Sequence, residues 1–288
     1  MDAARNPLTR RQGRVALAAA SAALLAALAG CGGSAEPNTS PSLVPGASSG
    51  GKLTIGIPFD EPGIGVKDGD SYSGFDVETA TYVAAALGVP AANITWVEAE
   101  GDQRQELLQS GGADMIVSTF SITDERKQVV DFAGPYFDAS QDLLVRRNEE
   151  DITGPSTLGG RTLCTVPGTT SADTILKRYR GRITLLEKPR YSECVAALAA
   201  SEVDAVTTDD VILAGFAAEP QYKGKLRLAG KGFSTESYGI GVKKGDTDMV
   251  TKVNAALKEY VADGSWKAAL TKTVGPSGYS LPSPPKIG

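Results

Sequence analysis

The sequence predicts an α/β protein made of two lobes with a crevice between them. Apolar runs in the order strand, helix, strand, helix, strand occupy residues 52–119. The same order returns at 161–207, beyond a charged break at 146–151, and a leftover strand and helix follow at 238–260. Alternation of this kind gives a parallel sheet with covering helices, and two such units face each other across a cleft that closes around a ligand.

In the first unit, 52–57 is a strand, and Val77, Ala80, Val83, Ala84 and Leu87 follow at helical spacing until Gly88 ends the helix. Residues 94–97 form a strand, 103–110 a helix and 114–119 a third strand. In the second unit, 161–166 is a strand, and 167–171 opens a helix carrying Ala172, Ile175, Leu176 and Tyr179 on one face. Residues 183–186 form the next strand, Ser192 caps a helix with Cys194, Val195 and Leu198, and 203–207 is a strand that ends at Asp209. A short strand at 226–228, a strand at 238–242, a helix at 249–260 and a last helix around Trp266 complete the pattern, leaving a loose tail from 276.

The N-terminus reads as an export signal: Arg10, Arg11 and Arg14 precede an apolar stretch at 15–29 that is short for a membrane span. Small residues then lead straight into Cys31, which resembles a bacterial lipobox; the route, general secretory or twin-arginine, stays open. That resemblance implies a signal peptide over 1–30 and a lipid-bearing first mature residue at Cys31, anchoring the protein to the extracytoplasmic face of the cell membrane. Residues 31–51 have the Gly, Ser and Pro content of a flexible tether, so the folded part starts near Lys52. Loss of the signal removes four arginines and one aspartate from 29 basic and 34 acidic side chains, leaving 25 and 33 and a net charge of −8. Such a balance argues against a nucleic-acid partner.

With Cys31 lipidated, Cys164 and Cys194 remain as a pair in an oxidising compartment, where a disulfide is favoured over a reactive thiol or metal site. The chain has no histidine, which removes Ser-His-Asp, Cys-His and most zinc chemistry, so no cofactor and no metal are expected.

The segment 114–136 concentrates the candidate binding chemistry. A strand ends near Thr119, Thr123 reads as an N-cap, and Asp124 and Glu125 occupy a first helical turn ahead of Arg126. Ligands of open α/β sheets bind beyond the carboxyl ends of strands, so Thr119, Ser121 and Arg126 border the crevice. From spacing alone, Arg126 is either a carboxylate clamp or a surface residue paired with Asp131. Thr169, Thr170 and Ser171 sit at a helix N-terminus that favours an anion. Asp209 is either a ligand partner or an N-cap.

Read together, GFDVETA at 74–80, SITDER at 121–126, VVDFAGPY at 129–136 and VDAVTTDD at 203–210 resemble the family 3 extracellular solute-binding proteins of polar amino acid ABC importers. FDEPGIGV at 59–66, QRQELL at 103–108, LCTVPGTT at 163–170 and YSECVAAL at 191–198 look like the glutamate-binding lipoproteins of actinobacterial importers, in which the two lobe cysteines pair. The resemblance implies a type II periplasmic-binding-protein-like fold: two Rossmann-like lobes, 52–139 plus 238–276 and 143–234, joined by a two-crossing hinge at 137–142 and 233–238. It implies a monomeric, non-enzymatic protein that captures L-glutamate, with aspartate and glutamine as further candidates, and delivers it to the permease subunits in the membrane. A sensor that signals to a membrane kinase or receptor would use the same binding chemistry.

By the same resemblance Arg126 grips the α-carboxylate, Asp209 holds the α-ammonium, Ser121 and Thr119 contact the same groups, and Thr169 and Thr170 close over the carboxylate. Arg104 matches a position facing the distal carboxylate, against the plain reading of a solvated helix arginine. Tyr191 stands where related binders use histidine, and its hydroxyl is a substitute donor. Glu61 has two readings, an obstacle to an anionic ligand or a carboxylate that orients an arginine.

Overall fold

In the computed structural model, which describes residues 41–45 and 50–288, the chain forms two five-stranded sheets and one small meander. The first lobe contains β1 (Leu53–Ile57), the meander strands β2 (Asp60–Glu61), β3 (Gly65–Asp68) and β4 (Ser71–Ser73), α1 (Phe75–Ala86), β5 (Ile94–Glu98), α2 (Arg104–Ser110), β6 (Met115–Ile116) and β7 (Val130–Ala139). The second contains β8 (Gln141–Arg146), β9 (Thr162–Thr165), α3 (Thr170–Tyr179), β10 (Thr184–Glu187), α4 (Tyr191–Ala199), β11 (Ala205–Asp209), α5 (Asp210–Ala218) and β12 (Leu226–Leu228). The chain then returns to the first lobe with β13 (Glu236–Lys243), α6 (Thr247–Ala262) and α7 (Ser265–Thr273).

The sheet orders are β5-β1-β6-β13-β7 and β10-β9-β11-β8-β12, with the inner βαβ strands parallel and the strands that cross between lobes antiparallel. The chain leaves the first sheet between Ala139 and Gln141 and comes back between Leu228 and Glu236. The two crossings lie side by side: the Ser140 hydroxyl donates to the Ser234 carbonyl at 2.7 Å, and the Gln141 N–H donates to the Ser234 hydroxyl at 2.9 Å.

Several elements depart from the sequence reading. The strand expected at 114–119 is reduced to Met115–Ile116, because Thr119 adopts a left-handed conformation with φ of 42°. The helix expected after Thr123 is a single 3-10 turn, Arg126–Gln128, though Thr123 does accept the Arg126 N–H at 3.1 Å. Ser192 is not a cap: Arg190 occupies the N-cap position of α4, and the Ser192 N–H is satisfied by Asp60 Oδ2 at 3.1 Å. Within the segment expected as tether, Val44 is buried against the first-lobe core and its N–H donates to the Ala86 carbonyl at 2.9 Å. The tail beyond 276 touches the body as well, with the Gly288 N–H donating to the Gly134 carbonyl at 3.1 Å and Ile287 against the core. Residues 1–30 and Cys31, with the signal and lipidation expected there, lie outside the described residues.

Candidate functional site

The ends of strands from both lobes meet in one pocket, lined by all eight binding residues expected from the sequence: Arg104, Thr119, Ser121 and Arg126 from the first lobe, Thr169, Thr170, Tyr191 and Asp209 from the second.

Neither arginine is a surface residue. Arg104 is 4% exposed and Arg126 is 6% exposed, and each guanidinium carbon lies 4.8 Å from the centroid of the Phe120 ring, a cation–π arrangement. Arg126 donates to the Ser121 carbonyl at 2.7 Å and to the Gly168 carbonyl at 2.9 Å. Asp131, its alternative partner by spacing, instead accepts from Lys244 at 2.7 Å. Arg104 donates to the Ser118 carbonyl at 2.9 Å, to the Gly101 and Thr119 carbonyls at 3.3 Å and to Gly168 at 3.4 Å. Gly168 belongs to the second lobe, so both arginines reach across the cleft to the same carbonyl. Burial lowers both arginine pKa values, Arg126 to about 9, and for Arg126 the nearby Arg104 charge adds to the effect.

Backbone geometry fixes the hydroxyls around them. Asp76 on α1 accepts the Thr119 N–H at 2.9 Å and the Tyr136 hydroxyl at 2.8 Å, which holds the left-handed turn at Thr119 in place. Thr169 is the N-cap of α3 and accepts the Ala172 N–H at 3.1 Å. The Thr170 hydroxyl donates to Glu236 Oε2 at 2.9 Å and lies 3.5 Å from the Ser121 hydroxyl of the other lobe. The Tyr191 hydroxyl is buried beside Thr169 and Thr208.

Asp209 occupies the N-cap position of α5 but makes no side-chain cap bond. Its Oδ2 accepts the Tyr238 hydroxyl at 2.6 Å, and its Oδ1 is buried without a hydrogen-bond partner. Burial, then the Glu236 charge, pushes its carboxyl up to about 8.

Sequence reasoning passed over Glu100 and Gly101, which line the pocket from the loop after β5. The rule that ligands sit beyond strand ends covers that loop, but its residues carry no motif of their own. Glu100 is raised to about 8 by burial and by its acidic neighbours Asp60 and Glu98. Among the described residues no cluster of acids or cysteines has the makings of a metal site. Opposed buried cation and anion partners, ringed by hydroxyls and backbone groups, suit a small zwitterion rather than a bond-breaking step.

Comparison with known proteins gives the family. The chain is 40% identical over 240 residues to the glutamate-binding protein GluB of Corynebacterium efficiens, covering 80% of this chain and 81% of that protein. It is 33% identical over 255 residues to the ABC transporter glutamine-binding protein GlnH of Bacillus subtilis, covering 86% and 92%. A solved ancestral arginine-binding protein bound to glutamine superposes with a TM-score of 0.72 at 31% identity, over 79% of this chain and all of that one. Residues 53–276 match the bacterial extracellular solute-binding proteins, family 3, and the chain belongs to that family of binding proteins, which are not enzymes.

Proposed function

We propose that the pocket captures a polar L-amino acid, L-glutamate first, with aspartate and glutamine as weaker candidates, and that the closed protein delivers it to the permease of an ABC importer. The observation that carries this reading is the placement of Arg126 and Asp209 in one enclosed pocket but on different lobes. An α-carboxylate at Arg126 and an α-ammonium at Asp209 Oδ1 would tie the lobes together, which is how a ligand stabilises a closed state. Thr170, Ser121 and the amides at the start of α3 complete the carboxylate side, and Arg104 lies where it can pair with a distal carboxylate. The chain crossings at 139–141 and 228–236 serve as the hinge. The protein works outside the cytoplasm as an extracellular binding protein, tethered to the membrane by lipid on Cys31. The names of the similar glutamate- and glutamine-binding proteins support a ligand of this chemical class.

Calorimetric titration of the Arg126→Ala protein with glutamate tests the reading. Affinity should fall by about 2–5 kcal/mol, a loss of thirtyfold or more, because a buried carboxylate is left without its partner. Unchanged affinity would remove Arg126 from the site. Arg104→Ala should weaken glutamate more than glutamine, and equal losses would remove its role in side-chain recognition.

A further inference from the structure

Glu61, on the two-residue strand β2, is 5% exposed and lines the same pocket, yet its Oε2 has no hydrogen-bond partner. It makes no hydrogen bond to an arginine, since those of Arg104 and Arg126 run to the carbonyls of Gly101, Ser118, Thr119, Ser121 and Gly168, although its charge is the strongest acting on Arg104. Its surroundings are mostly acidic. Asp60 lies on its own strand, Asp76 on α1 and Glu100 after β5, and the cation Arg104 on α2 opposes them. The phenol of Tyr191 on α4 lines the same pocket, while those of Tyr136 on β7 and Tyr238 on β13 donate to Asp76 and Asp209.

We propose that Glu61 sets the pocket's choice between a side chain that ends in a carboxylate and one that ends in a carboxamide: as a carboxylic acid it donates a hydrogen bond to the former, and as a carboxylate it accepts one from the latter. The inference rests on the amino acid reading given above, with Arg126 and Asp209 occupied by the α-groups and Arg104 near the side chain. A distal carboxylate held by Arg104 alone would meet a negative Glu61, whereas a protonated Glu61 supplies the missing donor. A carboxamide carries its own N–H donors and suits the ionised form. Burial, followed by the charges of Asp60, Glu100 and Asp76, holds the Glu61 carboxyl well above the usual carboxylate range. Glu100 is the less suited group, because its orphan Oε1 is 4.0 Å from Arg190 Nε toward the pocket rim.

Calorimetric titrations of the protein with glutamate and with glutamine, from about pH 5 to about pH 9, test this. Expected is a Kd ratio of glutamate to glutamine that rises about tenfold or more with pH, glutamate binding taking up a proton at the alkaline end while glutamine binding does not. Glu61→Gln should flatten the ratio. Glu100→Gln, which removes a neighbouring negative charge, should move the rise to lower pH without abolishing it. A ratio in the native protein that does not change with pH, or a rise that persists in Glu61→Gln, overturns the proposal. Proton uptake by the native protein decides the matter even where the Glu61 variant fails to fold. If neither amino acid binds at any pH, the amino acid reading itself falls, an outcome distinct from two bound ligands with a constant ratio.

Discussion

Tyr238 on β13 donates its hydroxyl to Oδ2 of Asp209 at the end of β11, at 2.6 Å, so a first-lobe phenol supports the second-lobe acid. The pair joins the two lobes beside the chain crossings, and it leaves Oδ1 of Asp209 in the pocket without a hydrogen-bond partner.

Tyr238→Phe should weaken glutamate binding about tenfold near pH 7, the cost of one hydrogen bond to a charged group. The ring stays stacked on Phe137, at a centroid separation of 5.6 Å, so the fold is kept. Tyr238 holds the Asp209 carboxyl down, and removing the hydroxyl raises that pKa further above about 8. The loss should accordingly shrink as pH rises and Asp209 ionises without help. Calorimetry across that range checks both the size and the trend; an equal loss at every pH would mean that the hydroxyl acts without changing the ionisation of Asp209.

Lobe contact relies on missing side chains. A Cβ added at Gly215 on α5 would lie 2.0 Å from the Pro62 carbonyl oxygen of the first lobe, far inside any tolerated contact. Gly215→Val should hold the lobes apart while each keeps its own core. Ligand-induced contraction in small-angle scattering should disappear and affinity should drop by tenfold or more, about 1.4 kcal/mol. Normal contraction would show that the two lobes close along another path.

How far the sequence reaches follows from the same contacts. The βαβ units were legible because their strands and helices bury apolar faces at regular periods. The strand β7 was not, since Gly134 and Pro135 interrupt it; it tolerates them as the outermost strand of its sheet. The strand β8 was hidden by Gln141 and Asp142, polar residues that are buried with their partners supplied from other elements, Thr207 for Gln141 and the Gly230 N–H for Asp142. At the site, Asp209 stood at a strand end and Arg126 in the loop beyond one, where the rule for α/β crevices looks for candidates, but spacing left each with a second reading. Asp60 as the partner of Ser192, and Gly168 as the shared acceptor of two arginines, are contacts between lobes with no local sequence signature.

The Cys164–Cys194 disulfide ties β9 to α4, with the two Cα atoms 5.4 Å apart at a sequence separation of 30. Replacing both cysteines with alanine should lower the unfolding free energy by roughly 3 kcal/mol, mainly through a freer unfolded chain. Urea unfolding with and without a reductant measures this. The native protein should respond to reductant and the double variant should not.

Stability without ligand should fall as pH rises from about 4 to about 8. Glu61, Asp76, Glu100 and Asp209 are all buried, and burial is the first cause of their upward shifts, Asp76 to about 7 and Glu100 and Asp209 to about 8. A carboxyl with a folded pKa above its unfolded value binds more protons when folded. Its stabilising contribution is therefore complete below the unfolded value and is lost as pH climbs through the folded one. Differential scanning calorimetry should show Tm lower at about pH 8 than at about pH 5 by on the order of 5 °C, the opposite of the usual salt-bridged carboxylate. Saturating glutamate should narrow the gap at the Asp209 end, because a bound ammonium stabilises the ionised acid. A Tm that rises over this range would show that the pocket carboxyls are already ionised in the unliganded protein, and it would remove the basis for a pH-dependent choice at Glu61.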